Sequence, residues 1–346
     1  MNVEKGDDMT TKKKKIWLVL DSRGFGGIES HVEQLAVGLS NARTDVTVVF
    51  LNQYGDHPVH KRLLYSGLNC RQLDGRLVSL WQAIRKDMPD VIHTHGYKAG
   101  ILARPIAKMM GITCASTFHS GEAKEGKIKM YDWVDRHTAF LANQVYAVST
   151  PVLESLPCAA KLANNFVNID DSVASTGDQI AFVGRLSKEK APERFVNLAK
   201  RFPHLEFHIY GDGPMRKSLE KNAPENLTFH GAQSDMRRIW NHIGLLVIPS
   251  RAEGLPMSSL EAMARGIPVA AFNVGALDQL IEHNHNGWLL KQGDMNGLVD
   301  AVLDWHNSDI VKRAELRMRA INTIKKDYSA EAVVPQLLKA YATAAK

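Results

Sequence analysis

Two glutamates in the second half of the chain, Glu253 and Glu261, flank the place where a predicted strand passes into a predicted helix. The apolar run at residues 245–249 predicts a buried strand, and Pro256 suits the first position of the helix. Backbone N–H groups in a first helical turn have no intrahelical partner, so they form a site for an anion such as phosphate. Because helical side chains tilt towards the N-terminus, Glu261 can lean back towards the same site as Glu253.

The two carboxylates restrict what kind of anion this site can bind. An ionised carboxylate only accepts hydrogen bonds, so a bare phosphate would be repelled, whereas a ligand that also carries hydroxyl groups fits. One glutamate for a ribose and one for a second sugar describes a nucleotide sugar. Ser258 and Ser259 fall in the first helical turn, where free backbone N–H groups would face its diphosphate.

Two cations precede this stretch in the segment VGRLSKEKAPERF. Arg185 is predicted at the carboxyl end of a strand and Lys190 at the start of the next helix. Either could be a solvated surface residue, but beside a phosphate site the pair would bind a diphosphate. No two aspartates are spaced as Asp-x-Asp, the pair that holds a divalent ion in metal-dependent transferases, so no metal and no other cofactor is predicted.

The segment EGLPMSSLEAMARGIPV resembles the Glu-x7-Glu signature of glycosyltransferase family 4, whose members are retaining enzymes of the GT-B fold. Three further segments are similar to family motifs: the GGIE loop, the TFH strand ending and the strand that ends in FHGA. The resemblance implies that Arg185 and Lys190 correspond to the family's Arg and Lys. The donor-binding residues that it implies are Gly26, Gly27, Arg185, Lys190, Gly231, Glu253, Gly254, Leu255, Pro256, Met257 and Glu261.

The resemblance also implies roles for single residues. His119 would reach the transferring sugar, Glu253 would hold the hydroxyls of the donor sugar, and Glu261 would hold the ribose. His119, Glu253, Arg185 and Lys190 are therefore the predicted catalytic residues. Retaining glycosidases use a carboxylate nucleophile, but here retention is expected through a front-face path in which the leaving phosphate oxygen helps to deprotonate the acceptor hydroxyl.

Alternating strand and helix patterns run through both halves of the chain. At 346 residues the chain exceeds what a single core usually organises. We predict an α/β protein of the GT-B type, with two Rossmann-like doubly wound parallel-sheet domains facing across a cleft. The expected units are a disordered tail at residues 1–15, an acceptor-binding domain at 16–165, a nucleotide-sugar-binding domain at 179–328, and a last helix at 329–346 that crosses back onto the first domain.

The first half of the chain contains partial signals for two other chemistries. A dinucleotide fingerprint needs glycine at positions 24, 26 and 29, but position 29 is Glu29, and no acidic residue closes the strand at residues 46–51; an NAD site is not favoured. His93 and His95 at a strand end could be metal ligands. Without acidic or cysteine partners nearby, packing and polar lining of the cleft is preferred for both.

Composition restricts the partners and the compartment. The net charge is +6 and most of the surplus lies in residues 1–165, but no nucleic-acid motif accompanies it, so an anionic membrane surface or a lipid diphosphate is preferred. Residues 121–136 mix cations with apolar side chains, typical of a solvated helix or of an acceptor or lipid-headgroup surface. Cys70, Cys114 and Cys158 fit buried thiols in a reducing compartment. No apolar run is long enough to span a bilayer, so no transmembrane segment is expected. We expect a cytoplasmic protein, peripheral at most at the inner face of the plasma membrane.

The leading hypothesis is a metal-independent retaining hexosyltransferase. It would move a sugar from a UDP-sugar, or from another nucleotide sugar such as a GDP-sugar, to a hydroxyl of a glycan or lipid-linked acceptor in cell-surface polysaccharide biosynthesis. A sugar-nucleotide epimerase of the same fold and a non-catalytic nucleotide-sugar-binding subunit remain as alternatives.

Overall fold

The computed structural model describes residues 13–24, 26–119, 126–169, 174–233 and 235–344. Within these ranges the chain forms two parallel β-sheets. In both sheets, helices connect strands that are successive in the sequence. The first sheet contains β1 Lys15–Leu20, β2 Asp45–Phe50, β3 Asn69–Gln72, β4 Val91–His95, β5 Thr113–Phe118, β6 Gln144–Ala147 and β7 Lys161–Leu162. The second contains β8 Gln179–Val183, β9 Phe207–Tyr210, β10 Leu227–Gly231, β11 Ile243–Ile248, β12 Val269–Phe272 and β13 Gly287–Leu290.

Helices cover both faces of each sheet. Those of the first half are α1 Gly27–Asn41, α2 Pro58–Tyr65, α3 Leu77–Asp87, α4 Tyr97–Met110, α5 Gly126–His137 and α6 Thr150–Glu154. Those of the second half are α7 Pro192–Lys200, α8 Arg216–Lys221, α9 Met257–Ala264, α10 Leu277–Leu280, α11 Met295–His306, α12 Ile310–Thr323 and α13 Ala330–Thr343. Two 3-10 segments at Ala139–Leu141 and Ile239–His242 and a π segment at Ile324–Tyr328 complete the described elements.

The order of the strands places a switch point in each sheet. The first sheet runs β3-β2-β1-β4-β5-β6-β7 and the second runs β10-β9-β8-β11-β12-β13. In such doubly wound sheets the connections diverge between the two central strands, and ligands bind outside the carboxyl ends at that point. The switch points therefore lie between β1 and β4 and between β8 and β11.

Alternate residues of the central strands point to opposite faces of the sheet and pack into two separate hydrophobic cores. In β1, Leu18 packs with α1 on one face, and Val19 packs with α3 and α4 on the other. In β11, Leu246 packs with α9, and Leu245 packs with α7 and α11. All six residues of β11 are buried, which explains why its sequence is continuously apolar rather than alternating.

The last helix returns to the first domain, as the GT-B resemblance predicted. Val334 of α13 packs into the core under β1, and a Cβ added at Gly38 of α1 would lie 3.0 Å from its Cγ2. Glycine in the middle of a helix is unfavourable, but here it allows α13 to approach closely. The hydroxyl of Tyr341 lies 2.6 Å from Nδ1 of buried His93, which fixes the ring at the carboxyl end of β4.

Some local expectations differ from the structure. Lys15, predicted in the tail, is the first residue of β1 and pairs with Asp45. Residues 286–288 resemble a loop of the family, but Gly287–Leu290 is the edge strand β13. Residues 236–242 continue the alternating pattern in the sequence, but only the 3-10 turn Ile239–His242 forms there. The preference for packing at His93 agrees with its buried, hydrogen-bonded position.

Candidate active site

The switch point of the second sheet brings two predicted site segments together. Arg185 follows β8 by two residues, and the loop of residues 250–256, called here the donor loop, follows β11. The two strands are hydrogen-bonded neighbours. The central strands β8 and β11 thus deliver a cation and a carboxylate, Glu253, to the same edge of the sheet.

Lys190 and Glu253 are in direct contact. The ammonium Nζ of Lys190 lies 2.5 Å from Oε2 of Glu253, and the hydroxyl of Ser250 donates to Oε1 at 2.7 Å. The side chain of Glu253 is 4% exposed and that of Lys190 is 25% exposed. The carboxylate is therefore held rigidly from two sides, while the cation remains accessible from the cleft.

Arg185 is exposed and lies in the same loop as Lys190. The N–H of Ser187 donates to the carbonyl of Arg185 at 3.0 Å, and the N–H of Lys190 donates to the carbonyl of Ser187 at 3.2 Å. Burial raises the pKa of the intervening Glu189, but a hydrogen bond from Ser187 and the charges of Arg185 and Lys190 outweigh it and hold this pKa below its usual value. One loop at the carboxyl end of β8 thus carries both predicted cations.

Helix α9 begins one residue later than predicted. Pro256 is its N-cap, with φ −65° and ψ 127°, and Met257 is the first helical residue. The backbone N–H and the hydroxyl of Ser259 both bond to the carbonyl of Pro256, at 3.1 and 2.6 Å. Both donors of Ser259 are therefore already hydrogen-bonded, and the expectation that its N–H is free is wrong. Ser258, which is partly exposed, is the first-turn serine that faces outward.

Glu261 reaches across to the first domain. Its Oε1 accepts a hydrogen bond of 2.6 Å from the hydroxyl of Ser30 on α1, and its Oε2 accepts one of 3.2 Å from the indole of Trp240. Desolvation between the two domains raises the pKa of Glu261, and the bond from Ser30 opposes that rise. Glu261 points to the facing domain, whereas Glu253 points to Lys190.

Close backbone packing holds the donor loop in place. Gly275 has φ +66°, and an added Cβ would lie 2.2 Å from the carbonyl oxygen of Gly254. The same carbonyl accepts the N–H of Ala276 at 2.9 Å, and buried Asn165 donates its side-chain amide to the carbonyl of Leu255 at 2.7 Å. The loop therefore depends on a glycine behind it and on a residue from the start of the interdomain connection.

Gly254 is the point at which the donor loop touches the first domain. A Cβ built on it would lie 2.9 Å from the carbonyl oxygen of His119 and 2.9 Å from Cγ2 of Val148. His119 follows β5, so the predicted histidine and the predicted glutamate loop meet across the cleft. The interdomain spacing here leaves no room for a side chain larger than hydrogen.

The ring of His119 lies in a group of histidines. Its Nε2 is 3.0 Å from Nδ1 of His95, and its centroid is 4.8 Å from that of His31. Desolvation, with the nearby His31 and His93, lowers the pKa of His119 well below its usual value, and burial lowers the pKa of His31 to about 4. These imidazoles are therefore neutral at physiological pH. The residues that follow His119, 120–125, lie outside the described part of the chain.

The predicted glycines outside the donor loop lie at the start of α1 and at the end of β10. Gly26 is the N-cap of α1 and Gly27 its first residue; both are exposed, one turn before Ser30. Gly231 ends β10, with φ +74° and its carbonyl bonded to the N–H of Gly211 at 2.8 Å. Strands β9 and β8 separate β10 from β11, so Gly231 lies at the same edge of the sheet but does not meet the donor loop.

Sequence reasoning missed several partners of these residues. The side chains that position the carboxylates, the loop and His119 were not assigned a role: Ser30, Trp240, Ser250, Asn165 and His31. Ser250 had a local signal, since it precedes Glu253 by three residues. The others come from elements far away in sequence, and their types carry no pattern that predicts the contact.

Two facing doubly wound domains, with cations and carboxylates at the switch point of the second, define a GT-B glycosyltransferase. Residues 25–163 match the family described as Glycosyltransferase Family 4, and residues 169–327 match Glycosyl transferases group 1. The chain belongs to the family 4 glycosyltransferases. Within the described residues, no helix is both long and apolar enough to cross a membrane.

Similar proteins agree with this class. The UDP-Gal:alpha-D-GlcNAc-diphosphoundecaprenol alpha-1,3-galactosyltransferase of Escherichia coli is 26% identical over 267 residues, which is 66% of this chain and 69% of that one. The poly(ribitol-phosphate) alpha-N-acetylglucosaminyltransferase of Staphylococcus aureus is 28% identical over 51% of this chain and 38% of its own length. The structure of Anabaena HepE with UDP and glucose superposes with a TM-score of 0.83 at 18% identity, covering 95% of this chain and all of HepE. The predicted fold and transferase class are confirmed.

Proposed function

We propose that this glycosyltransferase takes a nucleotide sugar, a UDP-sugar first, and transfers the sugar with retention to a hydroxyl of a glycan or lipid-linked acceptor. The contact between Lys190 and Glu253 at the switch point carries the proposal, since a cation for the diphosphate and a carboxylate for sugar hydroxyls would be needed side by side. The relatives' names support it: one uses UDP-Gal and a diphosphoundecaprenol-linked acceptor, and HepE binds UDP.

In this proposal the diphosphate is bound by fixed positive charge. The ammonium of Lys190 has three donors, so it can bind a phosphate oxygen while it contacts Glu253. Arg185 can bind the diphosphate bidentately, and the N-terminus of α9 adds oriented N–H groups. These groups stabilise the charge that develops on the leaving group without a metal ion. Turnover that persists undiminished in excess EDTA would support metal independence, and its loss would oppose it.

Glu253, held by Ser250 and Lys190, has lone pairs left for the hydroxyls of the donor sugar, and Glu261 takes the ribose. His119 approaches the sugar from the first domain, across the contact at Gly254. As a neutral imidazole it can both donate and accept a hydrogen bond. None of these groups needs to be a nucleophile, because the leaving phosphate oxygen can take the acceptor proton on the face from which it departs.

A panel of UDP-, GDP- and ADP-sugars, incubated with the protein and a lipid extract as acceptor, tests the donor. Release of one nucleoside diphosphate identifies a transferase and the nucleotide base of its donor. Isomerised donor identifies an epimerase. Thermal stabilisation without turnover identifies a binding subunit. The anomeric configuration of the first product, measured by NMR before any equilibration, tests retention. Inverted product would refute the front-face path.

We also propose that α5 carries the acceptor or lipid surface. Buried Arg104 of α4 pairs with Asp135 and anchors one side of α5. The opposite side exposes Met130 and Trp133, at 56% and 59%, beside the exposed Lys129. Apolar side chains flanked by cations are typical of a helix that lies on an anionic membrane.

Sedimentation with vesicles of phosphatidylglycerol or of phosphatidylcholine tests this surface. We expect binding to the anionic vesicles and a loss of at least about tenfold in the Met130→Ser/Trp133→Ser variant, because both anchors leave the interface. Met318→Ser removes an apolar side chain that is 64% exposed on α12 and serves as the matched control. Equal binding by all three proteins would refute the assignment.

A further inference from the structure

Three histidines from separate elements meet on the first-domain side of the cleft: His31 on α1, His95 at the end of β4 and His119 after β5. One nitrogen can be chosen from each ring so that all three lie within 4.8 Å of one another. The ring centroids are 5.3, 4.8 and 5.3 Å apart. Because each ring comes from a different packed element, the fold itself brings the cluster together.

Two of the rings have a buried nitrogen with nothing to bind. His31 is 5% exposed and His95 is 1% exposed. Nδ1 of His31 and Nε2 of His95 have no hydrogen-bond partner within the described ranges. Leaving a buried polar atom unpaired is unfavourable, so such atoms usually mark a bound ion, water or ligand.

The neighbouring His93 differs in this respect. Its Nδ1 lies 2.6 Å from the hydroxyl of Tyr341 and its Nε2 lies 2.7 Å from that of Thr117. Both of its nitrogens are therefore occupied by the protein, and the ring supports β4 rather than offering a ligand. The contrast separates a satisfied structural histidine from His31 and His95, each of which has one unpaired nitrogen, and from His119, whose Nε2 lies 3.0 Å from Nδ1 of His95.

We propose that His31, His95 and His119 bind a borderline divalent transition-metal ion such as Zn²⁺. Three imidazoles with an open fourth position are an established ligand set for Zn²⁺, whereas Mg²⁺ and Ca²⁺ require oxygen ligands. The nitrogens of a tetrahedral zinc site lie roughly 3.4 Å apart, given bonds of about 2.0–2.1 Å. The three nitrogens, now within 4.8 Å of one another, must therefore move closer together by rotation of their rings, and the metal would replace the contact between His95 and His119.

This ion would inhibit transfer rather than assist it. A ring of His119 that is bound to metal cannot approach the donor sugar, so occupancy of the site should lower turnover. The inhibition rests on the proposed role of His119, whereas the binding does not. The diphosphate site itself stays metal-free, because its positive charge comes from Arg185 and Lys190.

Titration of the tag-free protein with Co²⁺ tests the binding directly. Co²⁺ in a low-coordinate nitrogen site absorbs visible light far more strongly than the hydrated ion. We expect an intense band that saturates near one equivalent, disappears on addition of Zn²⁺ and persists with excess Mg²⁺. His31→Ala and His95→Ala should each weaken Co²⁺ binding by at least about tenfold, in line with loss of a ligand, while His306→Ala, an exposed histidine on α11, should not.

Circular dichroism establishes that each variant is folded, and His31→Asn replaces His31→Ala if the latter is not. Equal Co²⁺ affinity in the wild type and both cluster variants, or a spectrum identical to that of the hydrated ion, would overturn the proposal. In a second assay Zn²⁺ should inhibit wild-type turnover reversibly with EDTA and inhibit His31→Ala at least about tenfold less. Tight Co²⁺ binding without inhibition would keep the metal site and remove His119 from the transfer step.

Discussion

The hydroxyl of Ser30 donates a hydrogen bond of 2.6 Å to the carboxylate of Glu261, joining α1 of the first domain to α9 of the second. Trp240 holds the other carboxylate oxygen at 3.2 Å. Glu261 is therefore already oriented towards the facing domain, where a donor between the domains would meet it. In the proposed function Glu261 holds the ribose, so its loss should affect the binding of every ligand that contains a ribose.

Replacement of Glu261 by alanine should lower the affinities for uridine and for UDP by the same factor, since both ligands contain the ribose. A hydrogen bond to a charged group contributes about 1.5–3 kcal/mol, which is roughly a 10- to 100-fold loss of affinity. Isothermal titration calorimetry measures both ligands, and Glu282→Ala, at an exposed glutamate of the same domain, is the control. An unchanged uridine affinity would contradict the ribose assignment.

Replacement of His119 by alanine should act on turnover instead. If the ring contacts the transferring sugar only as it departs, kcat should fall by about 100-fold while the affinity for UDP stays within about twofold. Steady-state kinetics with the preferred donor and calorimetry with UDP make the comparison, with His306→Ala as control. A loss of UDP affinity equal to the loss of kcat would assign His119 to binding.

Gly254→Ala tests the contact between the domains. The added methyl group would lie 2.9 Å from the carbonyl oxygen of His119 and from Val148, so the cleft must open slightly. We expect kcat to fall at least about tenfold, with overpacking costing about 1–3 kcal/mol in the free energy of unfolding. Gly184→Ala is matched, because its methyl group would meet only the ring of Phe182 at 3.7 Å. Equal activity of both variants would rule out a close-packed cleft.

The parts of the fold that could be predicted are those with strong local patterns. The alternating pattern predicts a strand over residues 91–95, and the structure has it at Val91–His95, because a buried parallel strand is a short apolar run bounded by turn residues. Helix α2, Pro58–Tyr65, was missed: only Val59 and Leu63 are buried, too few to give a periodicity. Strand β13 was missed because four residues at a sheet edge give a weak signal.

The residues of the site fall into the same two groups: those that a local pattern predicts and those that only the packing of the chain brings together. Arg185, Lys190, Glu253 and Glu261 are carried by motifs, so the sequence predicts them, and the structure places Lys190 against Glu253. The partners Ser30 and His31 were not predicted, because their meeting with Glu261 and His119 depends on how two domains and several strands pack. The sequence shows no acidic or cysteine partners near His95, and the histidines that the structure brings beside it, His31 and His119, come from other elements.

The three cysteines should differ in reactivity in a way that depends on pH. Burial raises the pKa of Cys114 to about 12 and that of Cys70 to about 11, and it raises the pKa of Cys158 as well. The thiolate is the reactive form, so labelling must increase with pH and remain slow at pH 7. We expect iodoacetamide to modify partly exposed Cys158 before Cys114, measured by peptide mass spectrometry with the urea-unfolded protein as control. Rapid modification of Cys114 in the folded protein at pH 7 would contradict its burial.

In the proposed function, Arg185 and Lys190 bind the diphosphate of a nucleotide sugar at the donor loop. Lys190→Ala leaves the carboxylate of Glu253 without its ion pair and could therefore also change folding. Arg185→Ala removes an exposed side chain, so a loss of UDP affinity in this variant is not explained by misfolding. Lys188→Ala, an exposed lysine between them, is the control.

The most direct measurement is the ratio of the affinities for UDP and uridine in these proteins. The wild type and Lys188→Ala should prefer UDP by at least about 100-fold, and Arg185→Ala and Lys190→Ala should each reduce that ratio by roughly 10- to 100-fold with uridine affinity unchanged. An identical ratio in all four proteins would show that these cations do not hold the diphosphate and would contradict the account.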